Sequence, residues 1–581
     1  MLHERTIASD IGRASYKGFL GINRKLRTNA GEFYDMENIG YKEYPCLCSE
    51  KGNKRVDISL PEGAAIKKLI IPKRNSGEFT GFGGVAYYKD GDASYTGIFI
   101  DNERKMMLTS FTDAVDYNGA IIALPDFYGH VYAMETNNSG EASISPHLNS
   151  WSMYCYNDYP TTSSSVYVTQ LKLIDVPSAW YTATFSKRYK VGDSIVLYGL
   201  KDYMAGCNTI YPESSVDYSN TTSPVSIIIK SHSFSGGNSS GTITVVVELR
   251  NVKGEVIPWP ASVSSASGAQ YGAIKKYMPK VTYGCVAHNR IWCCSKNGEE
   301  VFVSALGKPL EYYEFNDAST DSWNVTVGTP GHFTGIAPWH SRVLAFKSEY
   351  THVIYGSIPK EFGIERVYNI GCIDRQSIAN AGDMLIWLSY DGFYAYAGGM
   401  PERISDKLNT KYVGAVAFSD GIRYYAHCKR EDGGSELVVF DTEKGIWSKL
   451  TDMDIVSGEF YDGKLYACTP DKMYAIKEGE YGDFFVESPE LTFDTFSDKS
   501  LINATIRCKI KDGFINFYTS VNGGNWIAHK GITETGKHTL PIRYSPGDIL
   551  RFRIEGNGDV AITELELKVQ MKERRPTMIC Q

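Results

Sequence analysis

Between residues 282 and 480 one pattern returns five times, and that recurrence limits the fold more than any single motif. Each copy is a short apolar strand, a turn carrying Asn, Asp or Gly, a second strand with aromatic or β-branched residues, and a polar connection. The copies start at Gly284, Gly335, Ser377, Ala415 and Gly458, roughly 35 to 50 residues apart, which is the repeat length of propeller blades. A single antiparallel sheet of this size cannot bury both of its faces, so successive copies must pack face to face around an axis. The same grammar, fainter, occupies residues 66–71, 84–88 and 97–100, and again 116–124 with 130–134. The expected ring therefore has about seven blades.

Composition agrees with many short strands and tight turns. The 581 residues include 40 Tyr and 55 Gly, whereas helical chains favour Ala, Leu, Glu and Lys. No run approaches the roughly 18 apolar residues of a spanning helix, and residues 1–20 have no apolar signal-peptide centre, so the chain reads as made in the cytoplasm without a membrane-spanning segment. The expected class is all-β: a β-propeller with an inserted β-domain and a C-terminal β-sandwich or jelly roll.

Two stretches break the period. Residues 141–280 are rich in Ser, Thr, Asn, Gly and Tyr yet hold strand signals at 164–168, 193–198, 225–229 and 242–249, with a hairpin tip at 233–241. This reads as a β-domain inserted between blades of 61–140 and blades of 281–483. From 484 to 570, short alternating segments such as 501–510, 514–518, 549–554 and 561–569 predict a sandwich with one face of each sheet buried. Residues 1–60 read as an extended arm with the first strands, and 571–581, carrying Lys572, Arg574 and Arg575, as a solvated tail.

The search for chemistry is mostly negative, and the expectation is a protein that is not an enzyme, with no catalytic, cofactor or metal residues. The twelve Cys lack the spacing of a metal site or a disulfide framework and read as reduced, buried thiols. The nearest approach to a P-loop, 458–464, has Leu465 where Ser or Thr would be needed. Gly237–Gly241 matches the letters of a nucleophile elbow but precedes a strand, not a helix. His288 and His340 occupy equivalent places in two repeats, which favours a structural role over a metal pair. Asp391-Gly392 and Asp462-Gly463 read as turns, and Ser520–Trp526 as an Asn-Gly turn that partly matches the aspartate box of sialidases. Trp292, Trp339, Trp387 and Trp447 sit among apolar strand residues, so packing between blades outweighs a role as carbohydrate platforms.

The order of certain elements resembles phage tail proteins. Phe19-Leu-Gly-Ile-Asn-Arg-Lys-Leu, then Glu32-Phe-Tyr-Asp-Met-Glu-Asn-Ile39 and Tyr44-Pro-Cys-Leu47, is similar to the opening of tail nozzle proteins, although Tyr44 stands where that family often has Arg before the proline. Asn289–Trp292, Val343–Phe346, Gly371–Ser377 and Leu388–Tyr394 look like blade elements of phage propeller proteins. The likeness covers about 20–48 and 282–480. It implies a virion tail component of the nozzle or hub type, assembled in the host cytoplasm as a homo-oligomeric ring of six copies. Such a ring would conduct DNA during ejection without sequence-specific binding and hold other tail proteins such as the adaptor and fibres. The net charge of −7 suits a channel that DNA must not adhere to. On this reading Phe19, Gly21, Asn23, Met36, Asn38 and Pro45 belong to an arm that docks on a neighbour, and a chain lacking residues 1–40 is expected to stay soluble but unassembled. Two other functions fit a propeller: a receptor-recognition protein that binds host glycans through an exposed aromatic and acidic cluster, and a glycosidase using paired carboxylates.

Overall fold

A computed structural model of the chain describes residues 11–71, 81–90, 93–108, 113–124, 132–135, 151–156, 168–176, 178–186, 189–198, 224–237, 241–251, 255–257, 270–275, 281–309, 312, 318–493, 495–542 and 546–571. The chain is all-β. It forms two compact units, Ile58–Arg375 and Met1–Asp57 with Gln376–Gln581. No helix among the described residues is long and apolar enough to cross a membrane.

The described residues of the unit Ile58–Arg375 contain four antiparallel meanders. The first is Ala65–Leu69, Gly84–Asp90, Ala93–Ile100 and Glu103–Leu108; the second is Asp113–Tyr117, Ala120–Leu124 and Tyr132–Glu135. The third is Tyr283–Ala287, Arg290–Cys294, Glu300–Val303 and Trp323–Thr326, and the fourth is Phe333–Trp339, Arg342–Lys347, Thr351–Tyr355 and Gly363–Tyr368. Alternation of side chains along a strand explains how they stack. In the second meander Ile121 and Ala123 pack on Val85 and Ile98 of the first, while Ile122 and Leu124, pointing the other way, pack on Ile291 and Cys293 of the third. Trp292 and Cys294 in turn leave the opposite face of the third meander and meet Phe333, Ile336 and Val343 of the fourth. Burying both faces makes inner strands buried at nearly every position, as in Arg290–Cys294 and Arg342–Lys347.

Turn chemistry sets the register. Asp101-Asn102, Asn118-Gly119, His288-Asn289 and Asp462-Gly463 all have positive φ at both residues and join directly paired strands, the geometry of type I′ turns that match strand twist. The equivalence of His288 and His340 expected from the repeats is a backbone one, since both hold left-handed turn positions, with φ of 53° and 47°.

Between the second and third meanders lies an insertion whose described residues form six long strands and one short one. Val168–Val176, Trp151–Tyr156, Gln270–Lys275, Ser194–Tyr198, Pro224–Gly236 and Gly241–Asn251 pair in that order, and the last also pairs with the first, so the sheet closes on itself as a barrel. Ile243, Val245, Val247 and Leu249 alternate into its core with Ile227 and Ile229. The expected strand at 164–168, the hairpin tip at 233–241 and the Gly237–Gly241 motif lie wholly or partly outside the described residues.

The other unit holds three more meanders. Ala379–Ala381, Met384–Ser389, Gly392–Tyr396 and Glu402–Arg403 make the fifth; Tyr412–Ser419, Arg423–Arg430, Ser435–Asp441 and Ile446–Leu450 the sixth. The seventh, Ser457–Tyr461, Lys464–Cys468 and Met473–Ala475, takes its fourth strand from far upstream, Lys54–Val56. Phe393 of the fifth packs on Tyr424 and Trp447 of the sixth at 5.7 and 5.6 Å. Phe418, Leu437 and Leu450 of the sixth pack on Leu465 and Ala467 of the seventh.

The same unit contains a two-layer sandwich. Lys499–Val521 and Leu550–Met571 pair along their whole length and fold over where Gly513 meets Gly558. A Cβ on Gly513, at φ +114°, would lie 1.9 Å from the Asn557 carbonyl oxygen, so only glycine permits this crossing. Tyr16, paired with Leu565 in one half, reaches Phe552 in the other at 6.0 Å. The sandwich was expected from residues 484–570 alone. Instead Ile11–Tyr16 and Leu47–Ser49 pair onto the edge of Leu550–Met571 that Lys499–Val521 leaves free, beyond the stretch taken by Asp483–Glu487, and Asp35–Glu37 pairs onto Asp483–Glu487. Residues 572–581 lie outside the described residues.

Buried polar groups have specific partners. In the fourth meander, buried His352 points Nδ1 at the Ala345 carbonyl (3.2 Å) and Nε2 at Thr329 Oγ1 (2.9 Å). The carbonyl can only accept, so Nδ1 carries the proton and Nε2 accepts, which is the neutral tautomer. Burial, helped by Lys347, holds the imidazole below its usual value. Because the unfolded ring takes a proton more readily, stability from this residue is complete above the ordinary histidine value of 6.5 and is lost as pH falls through the depressed folded value. The thermal midpoint is therefore expected to drop on acidification below 6.5, and to drop less in His352→Gln. Equal pH dependence in both proteins, followed by circular dichroism, would contradict the assignment.

Candidate functional site

The N-terminal segment is the first place to look, and its residues are held by their own chain. Phe19 is buried and stacks on Phe33 at 5.8 Å. Gly21 lies at φ +79° against the outer strand of the sixth meander, where a Cβ would come within 2.3 Å of Ile446 Cγ2 and 2.5 Å of the Trp447 oxygen. The next amide, of Ile22, donates to that Trp447 oxygen at 2.9 Å. Asn23 Nδ2 donates to Glu32 Oε2 (2.7 Å), and Lys407 holds the other carboxylate oxygen at 3.0 Å. Met36 is fully buried. Asn38, at φ 53°, bridges Thr451 and the Asp483 carbonyl, thereby joining the sixth meander to the sandwich. Pro45 follows a cis peptide bond, and its carbonyl accepts from the Phe19 amide.

An ion network fastens this segment. Arg24 makes a bidentate pair with Glu436 (2.9 and 2.8 Å) and reaches Asp35 at 3.2 Å; Lys449 holds the other Asp35 oxygen at 2.7 Å. Burial alone would raise the Glu436 carboxyl, but hydrogen bonding and charge from Arg24 outweigh it and hold the group below its usual range. Removing one partner would leave the other charge buried and unpaired. All six residues named for a docking arm lie within one unit, where they are seated against their own chain. Leu26 is the exception nearby, fully exposed between Lys25 and Arg27.

The second place is an open groove of about 760 Å³ formed by the third and fourth meanders. His288 comes from the turn of the third, Arg342 from the start of the second strand of the fourth, Tyr355 from the end of its third strand, and Glu361 and Glu365 from the loop and strand beyond. The loop is anchored by one buried ring. Phe362 is buried against Trp292 and Trp323 at 5.0 and 5.4 Å, with the Arg290 guanidinium 5.7 Å from its ring. Arg290 is itself buried and donates to the carbonyls of Ser304, Asp321 and Ser319 at 2.8, 2.5 and 2.7 Å. Gly356, at φ +116°, lets the loop close, since a Cβ there would sit 2.7 Å from the Glu361 oxygen.

Within the groove Arg342 Nε donates to Glu365 at 2.8 Å, and that hydrogen bond keeps the Glu365 carboxyl below its usual range. Ser357 Oγ donates to Glu361 Oε2 at 3.0 Å. Tyr355 is 46% exposed, with one part of its ring over Gly363. The Nδ1 atom of His288 is buried without a hydrogen-bond partner, and burial with nearby Arg290 holds the ring below its usual value. The sequence reading did not single out Tyr355, Glu361 or Glu365. A signal was present in Tyr355-Gly-Ser-Ile-Pro-Lys-Glu-Phe-Gly363, a connection too apolar at Phe362 to be plain solvent loop.

Other candidates resolve into packing. Trp292, Trp339, Trp387 and Trp447 are all buried and unavailable as sugar platforms. Asn522 and Gly523 have positive φ, which makes the aspartate-box look-alike a turn. The cysteines among the described residues are free; eight are buried, and burial pushes the Cys285 thiol up to about 12. Among the described residues no group of three His, Cys, Asp or Glu is arranged to hold a metal.

Fold and sites together define an all-β protein of stacked meanders, with a barrel and a sandwich attached. No family model matches the chain, and no curated protein matches it. Among solved structures it is similar to an exo-β-1,3-galactanase from Phanerochaete chrysosporium, at 8% identity and a TM-score of 0.21, over 49% of this chain and 94% of that one. It is also similar to the extracellular domain of BT4673 from B. thetaiotaomicron, at 9% identity and a TM-score of 0.24, over 91% of this chain and 82% of that one. Likenesses this faint leave function to the chain's own geometry.

Gly21→Ala is expected to destabilise the unit by about 2 kcal/mol or more, through left-handed strain and overpacking against Ile446. Chemical denaturation measures it; an unchanged midpoint would mean that the segment is not seated as described.

Proposed function

We propose that the seven meanders close into one β-propeller and that the chain serves as a mechanical part of a phage tail, of the nozzle or hub type, with no catalytic step. The order of motifs along the sequence brings the phage reading. The observation that carries the mechanical one is the way distant segments are stitched together. Lys54–Val56 completes the seventh meander, and only residues 57–64 separate it from the first, which begins at Ala65–Leu69. At roughly 3.3–3.6 Å per residue, so short a connector favours a ring in which last meets first. Closed, edge-protected sheets resist deformation without disulfides.

Strands from residues 11–49 lie in the same sandwich as strands from 483–571, so pulling on either segment loads a ladder of hydrogen bonds. Assembly would then use surfaces other than the buried segment, and exposed Leu26, flanked by two cations, is one contact available to a neighbouring copy. Copies arranged in a ring would leave a channel for DNA, and other tail proteins would attach to the barrel and sandwich.

The test is electron microscopy with mass photometry of the purified full chain at several concentrations. Rings of several copies around an open channel are the expected result, with Leu26→Asp shifting the population toward single copies. Single copies at all concentrations, or closed assemblies without a channel, would overturn the reading.

A further inference from the structure

We propose that the groove between the third and fourth meanders binds a short neutral oligosaccharide, with a sugar ring stacked on Tyr355 and its hydroxyls hydrogen-bonded to Glu361 and Glu365. This goes beyond the mechanical reading and does not depend on assembly. Three features of the groove select that ligand class.

Its size and rigidity come first. About 760 Å³ falls within the range of small-ligand sites. Its loop wall is formed in the unliganded chain, where Phe362 anchors it against Trp292 and Trp323 and Gly356 closes it. Preformed walls spare a ligand the ordering of the loop.

The second feature is the exposed aromatic. Among the described residues of this unit the large tryptophan and phenylalanine rings such as Trp292, Phe333 and Phe362 are buried, whereas Tyr355 is 46% exposed and paired across the strands with Gly363, which has no side chain to cover it. A ring with a free face suits the apolar C–H face of a pyranose, since an aromatic side chain presents a large flat surface with few rotatable bonds to immobilise.

Charge is the third. Glu365 is already neutralised in part by Arg342, and Glu361 takes only a serine hydroxyl at 3.0 Å. The lining therefore offers carboxylate oxygens as acceptors and the hydroxyl of Ser357. Hydroxyl groups, which both donate and accept, match that set. An acidic sugar would face two carboxylates against one guanidinium.

The experiment uses the intact chain on an array of neutral, acidic and amino oligosaccharides, with oligolysine as a further probe, followed by titration of the best hit by saturation-transfer NMR. Neutral oligosaccharides are expected to bind, with Tyr355→Ala weakening affinity about tenfold or more and Glu361→Gln weakening it less. Both positions are exposed, so melting temperature should be unchanged, and Tyr355→Phe should retain most of the binding. Preference for acidic sugars or oligolysine, absence of any neutral hit, or a hit indifferent to Tyr355→Ala would overturn the proposal.

Discussion

A small antiparallel sheet with apolar residues on both faces cannot stand alone in water, and the rest of this structure depends on that constraint. In the second meander, neighbours in sequence such as Ile121 and Ile122 are both fully buried, yet they point into different cores. Each meander thus needs a partner on either side. At about 25 cal/mol per Å² of apolar surface, one uncovered face would cost more than any turn or ion pair described here can return. Stacking of the sheets consequently contributes most to stability, and turns and ion pairs select which stack forms.

Polar contacts fix that selection. Asp113 is buried where the first and second meanders meet, paired with Lys68 and, at 3.5 Å, with Arg375. Burial would raise its carboxyl, but the two cations outweigh burial and hold it below the usual range. Arg24, Glu436, Asp35 and Lys449 do the equivalent work in the other unit, where they specify how the N-terminal segment lies across the sixth meander. Buried pairs of this kind add little net stability but penalise wrong seatings, because any slip strands a charge.

The meanders were legible because their signals are local. Asp462-Gly463 sits between two strands that pair with each other, and a period-2 pattern ends at a turn residue whose φ can be named from the sequence. The stitching was not legible. Lys54-Arg-Val56 is too short to show a period, and its partner Met473–Ala475 lies more than four hundred residues away. Ile11–Tyr16 alternates weakly, and nothing in it announces pairing with Leu550–Met571. Of the six arm residues, Phe19, Gly21, Asn23 and Met36 are buried, and Gly21 is there because Ile446 leaves no room for a side chain. The groove escaped notice because its members come from two meanders and a connecting loop, and only the packing of Phe362 brings them together.

The proposed ring requires every meander to be covered on both faces, the last by the first. A cryo-EM map of the intact chain at side-chain resolution tests this most directly. The account predicts seven meanders radiating from one axis, with the sheet containing Lys54–Val56 packed against the sheet containing Ala65–Leu69. An open stack with an apolar face of either sheet in solvent would contradict it.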